Sequence, residues 1–278
     1  MGKALVLGGG GVAGVAWETA LLLGLRDAGV DLTDADLVVG TSAGSVVAAQ
    51  ITTGNDLAEL YEAQLVAPEQ TGELAVEFDT DAFTATLVEL LSDRPAPQEL
   101  RRRLGEVALA ADTVPEADRR RVIEARLPVH QWPDRKVVVT AVDAATGEFV
   151  AFDADGGASL VEAVGASCAV PGVWPPVTIG VRRYIDGGVR STINADLAAG
   201  HDRVVVVAPF AWGIAGPVDD EVAELRASGA RVAVVTADEA AQAAFGPNPL
   251  DPATRRPAAE AGRAQGAAVA ATVAEVWR

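Results

Sequence analysis

Short apolar runs recur along the chain at Ala4–Leu7, Leu37–Val39, Val137–Ala141, Arg203–Ala208 and Val232–Thr236. They are rich in valine and do not alternate with polar residues, which suits strands buried on both faces of a largely parallel sheet. Between them lie amphipathic segments such as Val15–Asp27, Ser45–Thr52 and Asp219–Ser228, at lengths suited to crossover helices. The pattern predicts a three-layer α/β/α sandwich with a mainly parallel central sheet.

The stretch from about Leu65 to Arg135 breaks this rhythm. It holds charge-rich helical pieces interrupted by Arg94-Pro95-Ala96-Pro97 and Val114-Pro115, with no convincing strand, and reads as a helical insertion. An insertion of this kind either forms a lid over an α/β active site or is a plain solvated subdomain. Within it, the spacing of Phe83, Leu87, Leu90 and Leu91 puts an apolar face on one helix, either to pack on the body or to line a lipid entrance. Val142–Phe149 reads as a turn between two strands, with Gly147 free to take a positive φ. From Gly246 the tail is Pro-rich, then Ala-rich, and a closing helix is expected to run to Arg278.

At 278 residues and 50% hydrophobic, the chain can bury one large core, so one domain spanning 1–278, with the insertion at about 65–135, is expected. The formal charge of -17 argues against a nucleic-acid partner, which would require clustered Lys and Arg, and disfavours anionic membranes. Cys168 is the only cysteine, which rules out an intrachain disulfide and a cysteine-built zinc site. The amino terminus opens directly on a strand-like run without a secretory layout, and no apolar stretch approaches the roughly 20 residues of a membrane span. A cytoplasmic protein is expected.

Gly8-Gly9-Gly10-Gly11-Val12-Ala13-Gly14 stands directly after a strand and before a helix. Glycines let the backbone approach a ligand closely, and the helix start offers unpaired N–H groups, so something anionic is favoured there. Gly9, Gly11 and Gly14 also satisfy GxGxxG. A dinucleotide site, however, wants an acidic residue ending the second strand, and here Asp31, Asp34 and Asp36 precede that strand. The strand instead runs into Gly40-Thr41-Ser42-Ala43-Gly44, a GxSxG between strand and helix, the setting of a nucleophile elbow.

A serine nucleophile needs a base. Of the two histidines, His201 precedes a strand and so belongs to the opposite end of the sheet, and His130 lies at the exit of the insertion. A carboxylate held within reach and partly desolvated can serve instead. Tyr184-Ile185-Asp186-Gly187-Gly188 offers one, although Asp-Gly-Gly also reads as a simple turn.

GGGxxG, GxSxG and DGG, in this order on strand ends, resemble the patatin-like phospholipase family. Ala163–Pro176 is similar to the stretch leading into that family's aspartate motif, so the resemblance runs from Lys3 to about Ala208. It implies that Ser42 and Asp186 form a catalytic dyad and that amides around Gly9, Gly10 and Gly11 hold the oxyanion. Gly14, Gly40, Gly44, Gly187 and Gly188 would support the motifs. No metal or organic cofactor is implied. The substrate would be a lipid or other acyl ester, with transient contact at a membrane surface, and the oligomeric state is open. Ala13 departs from the family, which often has Arg or Lys there, and this puts phospholipid specificity in question. Asn194, downstream of Asp186, either braces the aspartate turn or starts an ordinary helix. Two other readings stay open: a catalytically silent lipid- or acyl-binding protein on the same fold, and a Rossmann-type nucleotide binder.

Overall fold

The computed structural model describes residues 2–76, 80–214 and 216–278, so residues 77–79 of the insertion lie outside the described residues. In chain order the elements begin with β1 (Lys3–Leu7), α1 (Gly11–Asp27), β2 (Leu37–Gly40), α2 (Ala43–Thr52) and α3 (Leu57–Gln64). The insertion supplies α4 (Thr80–Leu90), α5 (Pro97–Ala110) and α6 (Glu116–Arg126). Then come β3 (Lys136–Asp143), β4 (Phe149–Phe152), α7 (Leu160–Ser167), β5 (Val177–Ile179), β6 (Arg182–Asp186) and β7 (Arg203–Ala208). A two-stranded ribbon, β8 (Trp212–Gly213) and β9 (Gly216–Pro217), leads to α8 (Val218–Ala227), β10 (Arg231–Thr236), α9 (Glu239–Phe245) and α10 (Arg255–Trp277).

The main sheet is hydrogen-bonded in the order β10-β7-β1-β2-β3-β6-β5, with β4 also paired to β3. From β10 through β3 the pairs are parallel, while β4, β5 and β6 join antiparallel. Successive side chains of a strand point to opposite faces, and here each face has its own apolar layer. Leu5, Leu7, Val205 and Val207 pack with α1, α2, α7 and α10, whereas Ala4, Val6, Val204 and Val206 pack with α8 and residues 195–198. That double burial explains why the runs do not alternate. Helix α5 covers Val142 and Ile185 at the far end of the sheet. The closing helix α10 is keyed to α1 by Trp17, whose indole Nε1 donates to Gln265 at 2.9 Å. The β3–β4 turn is closed by the Asp143 amide donating to the Glu148 carbonyl at 2.9 Å, with Gly147 at φ 68°.

The register around β3 decides where the chemistry sits. Ala141 pairs with both Val150 of β4 and Asp186 of β6, so those strands take opposite edges of β3. Val139 pairs with both Phe152 of β4 and Gly40 of β2. Strands β2 and β6 therefore share one edge of β3 and meet end to end, Gly40 and Asp186 lying two residues apart along β3, ~7 Å. Both chains must turn out of the sheet at that junction. The two motifs, distant in the chain, are brought together by one strand.

Candidate active site

Ser42 stands at the turn between β2 and α2 with φ 52° and ψ -116°, a positive-φ conformation that costs a non-glycine residue roughly 1–3 kcal/mol. The surroundings over-determine it. The Ser42 amide donates to the Ser167 hydroxyl at 2.9 Å, and the Cys168 thiol donates to the Ser42 carbonyl at 3.3 Å. Gly44 lies so close to β1 that a Cβ there would stand 2.2 Å from the Leu7 carbonyl oxygen. GxSxG is thus written by sterics: a side chain at 44 would push the elbow off the sheet.

Asp186 leaves β6 toward Ser42 and is 5% exposed. Its Oδ1 accepts the Gly188 amide at 2.7 Å, and its carboxyl is reached by the Ser42 side chain. Burial pushes the Asp186 carboxyl up to about 7, against the opposing pull of the Ser42 and Gly188 hydrogen bonds and of the Arg119 charge. A carboxylate poised there can take a proton at neutral pH and give it back, as a general base must. Gly187 has no room for a side chain, because a Cβ would meet the Thr140 hydroxyl at 2.3 Å.

Asn194 is fully buried at φ 50° and ψ 45°. Its Nδ2 donates to the Thr41 hydroxyl at 3.0 Å, the Gly187 carbonyl at 3.4 Å and the Ser191 carbonyl at 2.8 Å. It precedes a short 3₁₀ turn but makes no side-chain cap there; it holds together the Asp186 loop and the elbow.

The glycine loop passes beside Ser42 and corrects one expectation. The Gly9 amide is spent, donating to the Thr192 carbonyl at 2.8 Å, so it is not free for an oxyanion. The amides of Gly10, Gly11 and Ala43 find no acceptor among the described residues. Ala43, the residue after Ser42, is a donor that the glycine motif did not reveal. Gly14 sits against the elbow, where a Cβ added to it would stand 3.2 Å from the Ala43 methyl, and so keeps loop and elbow together. Glu18 of α1 is fully buried behind the loop, where its Oε1 accepts the Gly8 amide at 2.9 Å.

A cavity of about 240 Å³ opens on the Ser42–Asp186 pair, lined by these two residues, Val170, Phe83, Phe210 and Leu250 among others. Its wall is almost wholly apolar. The insertion helix α4 and its end divide their apolar residues: Phe83 lines this cavity, Leu90 packs against the α5 cluster and Leu91 is exposed. A second recess, about 10 Å³, lies between Ser42, Ala43, Gly11, Arg119 and Trp174. Arg119 could not have been found from its sequence context, one arginine in Asp118-Arg119-Arg120-Arg121. His130 has its Nε2 on the Glu124 carbonyl at 3.0 Å. The His201 Nδ1 sits on the Ala198 carbonyl at 3.1 Å, ahead of β7 at the opposite end of the sheet. Neither histidine joins the site. Among the described residues no helix is long and apolar enough to cross a membrane, and no group of three or more His, Cys, Asp or Glu could hold a metal ion.

The profile of the patatin-like phospholipase family matches residues 5–199, which takes in the glycine loop, the elbow, the insertion and the aspartate turn. No curated protein sequence matches the chain. Among solved structures the fold is similar to that of VipD from Legionella pneumophila, at 14% identity and a TM-score of 0.51, covering 98% of this chain and 67% of that one. The type III effector protein ExoU is similar at 14% identity and a TM-score of 0.43, with 98% of this chain and 53% of that one covered.

Proposed function

The chain belongs to the patatin-like phospholipase family, and from that premise we propose that it is a lipid acyl hydrolase working through a Ser42–Asp186 dyad and a covalent acyl-enzyme. The observation that carries the reading is the buried Asp186 carboxyl, poised at about 7, facing a serine on a strained elbow at the mouth of an apolar cavity.

Asp186 accepts the Ser42 proton while Oγ forms a bond to the ester carbonyl carbon, and the carbonyl electron pair moves onto oxygen. The Gly10, Gly11 and Ala43 amides are the donors left to hold that oxyanion, each worth roughly 3 kcal/mol when well placed. As the intermediate collapses, the bond to the leaving oxygen breaks and Asp186 returns its proton to the departing alcohol. Water then repeats the sequence on the acyl-serine, with Asp186 again as base, and releases the acid. The chemistry needs neither a metal nor an organic cofactor.

The apolar cavity suits an acyl chain. Phe210 of its lining is exposed, and Trp212, two residues on, is 69% exposed, a rim suited to transient contact with aggregated lipid. The test is hydrolysis of short- and long-chain p-nitrophenyl esters, with intact-mass detection of the acyl-enzyme. Turnover with an acyl adduct, both lost in Ser42→Ala, supports the reading; a well-folded wild type without turnover or adduct returns the weight to a silent acyl-binding protein.

A further inference from the structure

Burying a charge without a partner is expensive, so an uncompensated buried cation in a protein of net charge -17 calls for an explanation. Arg119 is such a cation. It is 5% exposed, and its Nε and Nη1 have no hydrogen-bond partner among the described residues. Its guanidinium carbon lies over the Trp174 ring, 3.8 Å from the centroid, a cation–π contact that uses none of its N–H donors.

The neighbouring charges do not use it. Arg126 is the partner of Glu73, with Nε and Nη2 on the two carboxylate oxygens at 2.8 and 2.6 Å. Besides Arg126 and Glu73, the titratable groups that Arg119 feels are Cys168 and Asp186. The glycine loop brings no side-chain cation, since Ala13 is apolar and fully buried.

The recess that Arg119 shares with Ser42, Ala43 and Gly11 has a volume of about 10 Å³. One water needs ~10–15 Å³ of such space, so the recess takes one oxygen atom and not a head group. A cationic side chain that lines a one-oxygen recess together with Ser42 and two residues whose amides are unpaired stands beside the place where an ester carbonyl oxygen would become negative.

We propose that Arg119, carried by the inserted helix α6, is a further catalytic residue that stabilises the oxyanion formed when Ser42 attacks the ester. In that step the Ser42 Oγ–carbon bond forms, the carbonyl π pair moves onto oxygen beside the Arg119 guanidinium, and the hydroxyl proton goes to Asp186. Collapse returns the pair and expels the leaving oxygen, so Arg119 neither gains nor loses a proton. The proposal rests on the dyad reading. It also gives the insertion a part in the chemistry beyond covering the site.

The test compares wild type, Arg119→Gln and Arg119→Lys by kcat and KM on p-nitrophenyl butyrate between pH 5 and 8.5, below the value of about 9 to which burial lowers the Arg119 guanidinium, with Tm for each. For Arg119→Gln the proposal predicts that the high-pH plateau of kcat falls by about 10- to 100-fold, KM changes little and Tm does not fall, because an unpaired buried charge has been removed. Arg119→Lys recovers part of the plateau. An unchanged plateau with only a raised apparent pKa would overturn the proposal, showing that Arg119 serves Asp186 alone. A plateau lost together with Tm in both variants would overturn it in favour of a structural role. Wild type without turnover and without a Ser42 acyl adduct removes the dyad reading itself, whereas wild-type turnover with an insensitive Arg119→Gln removes this proposal only.

Discussion

Asn194 donates from Nδ2 to the Thr41 hydroxyl at 3.0 Å, which ties the loop after Asp186 to the residue before Ser42. The same amide nitrogen reaches the Gly187 and Ser191 carbonyls, and Oδ1 accepts from Arg190 at 2.7 Å. One buried side chain therefore fixes the separation of the Ser42 elbow and the Asp186 turn. Asn194→Ala leaves buried acceptors unpaired and places alanine at φ 50°, so a loss of about 2–4 kcal/mol is expected by urea denaturation. Asn194→Asp replaces the donor by an acceptor facing two carbonyls and should lower turnover despite its near-identical volume, read as kcat on a soluble ester.

In the proposed mechanism the raised Asp186 carboxyl sets the pH dependence of turnover. Asp186 must be unprotonated to take the Ser42 proton, so kcat/KM rises through an apparent pKa of about 7 and reaches a plateau above it. A profile already flat at pH 5 would contradict this.

The same carboxyl costs stability. Its folded value lies above the ordinary 3.8, so its contribution is fully present below 3.8 and is lost as pH rises through about 7. Asp186→Asn removes that loss, which has an upper bound of ~4 kcal/mol. The variant should be inactive, more stable than wild type at pH 8, and close to wild type near pH 4, as measured by denaturation at both pH values.

Glu18 behaves similarly behind the glycine loop. Burial holds its carboxyl well above the usual glutamate value of 4.5, against the pull of the Gly8 amide, and Oε2 has no partner among the described residues. Its stability contribution is full below 4.5 and falls away as pH rises. The stability difference between Glu18→Gln and wild type should therefore shift in favour of the variant from pH 5 to pH 8; a difference independent of pH would show that burial does not raise the Glu18 carboxyl.

The elbow strain is accessible through Ser42 itself. Ser42→Gly and Ser42→Ala should both abolish turnover, but glycine adopts φ 52° at no steric cost, so Ser42→Gly should be the more stable by about 1 kcal/mol. Equal Tm values would mean that the turn carries no strain.

Most of the frame was legible in the chain. The five apolar runs are strands, Gly40–Gly44 forms the elbow, and residues 65–135 contain no strand among those described. These features are written locally, in hydrophobic runs and glycine spacing. Residues acting through long-range contacts were not legible. Arg119 gains its meaning only from Trp174 and the recess beside Ser42, and Ser167 only from the Ser42 amide. The loss of Gly9 as an oxyanion donor is of the same kind, because its acceptor, Thr192, comes from the loop after Asp186.

The most direct measurement is the rate of fluorophosphonate labelling of wild type and Asp186→Asn at pH 8, with the adduct mapped by peptide mass spectrometry. The dyad predicts rapid modification of Ser42 in wild type and a loss of at least about 100-fold in the folded variant. Labelling of another residue, or undiminished labelling of Ser42 without the Asp186 carboxylate, would contradict it.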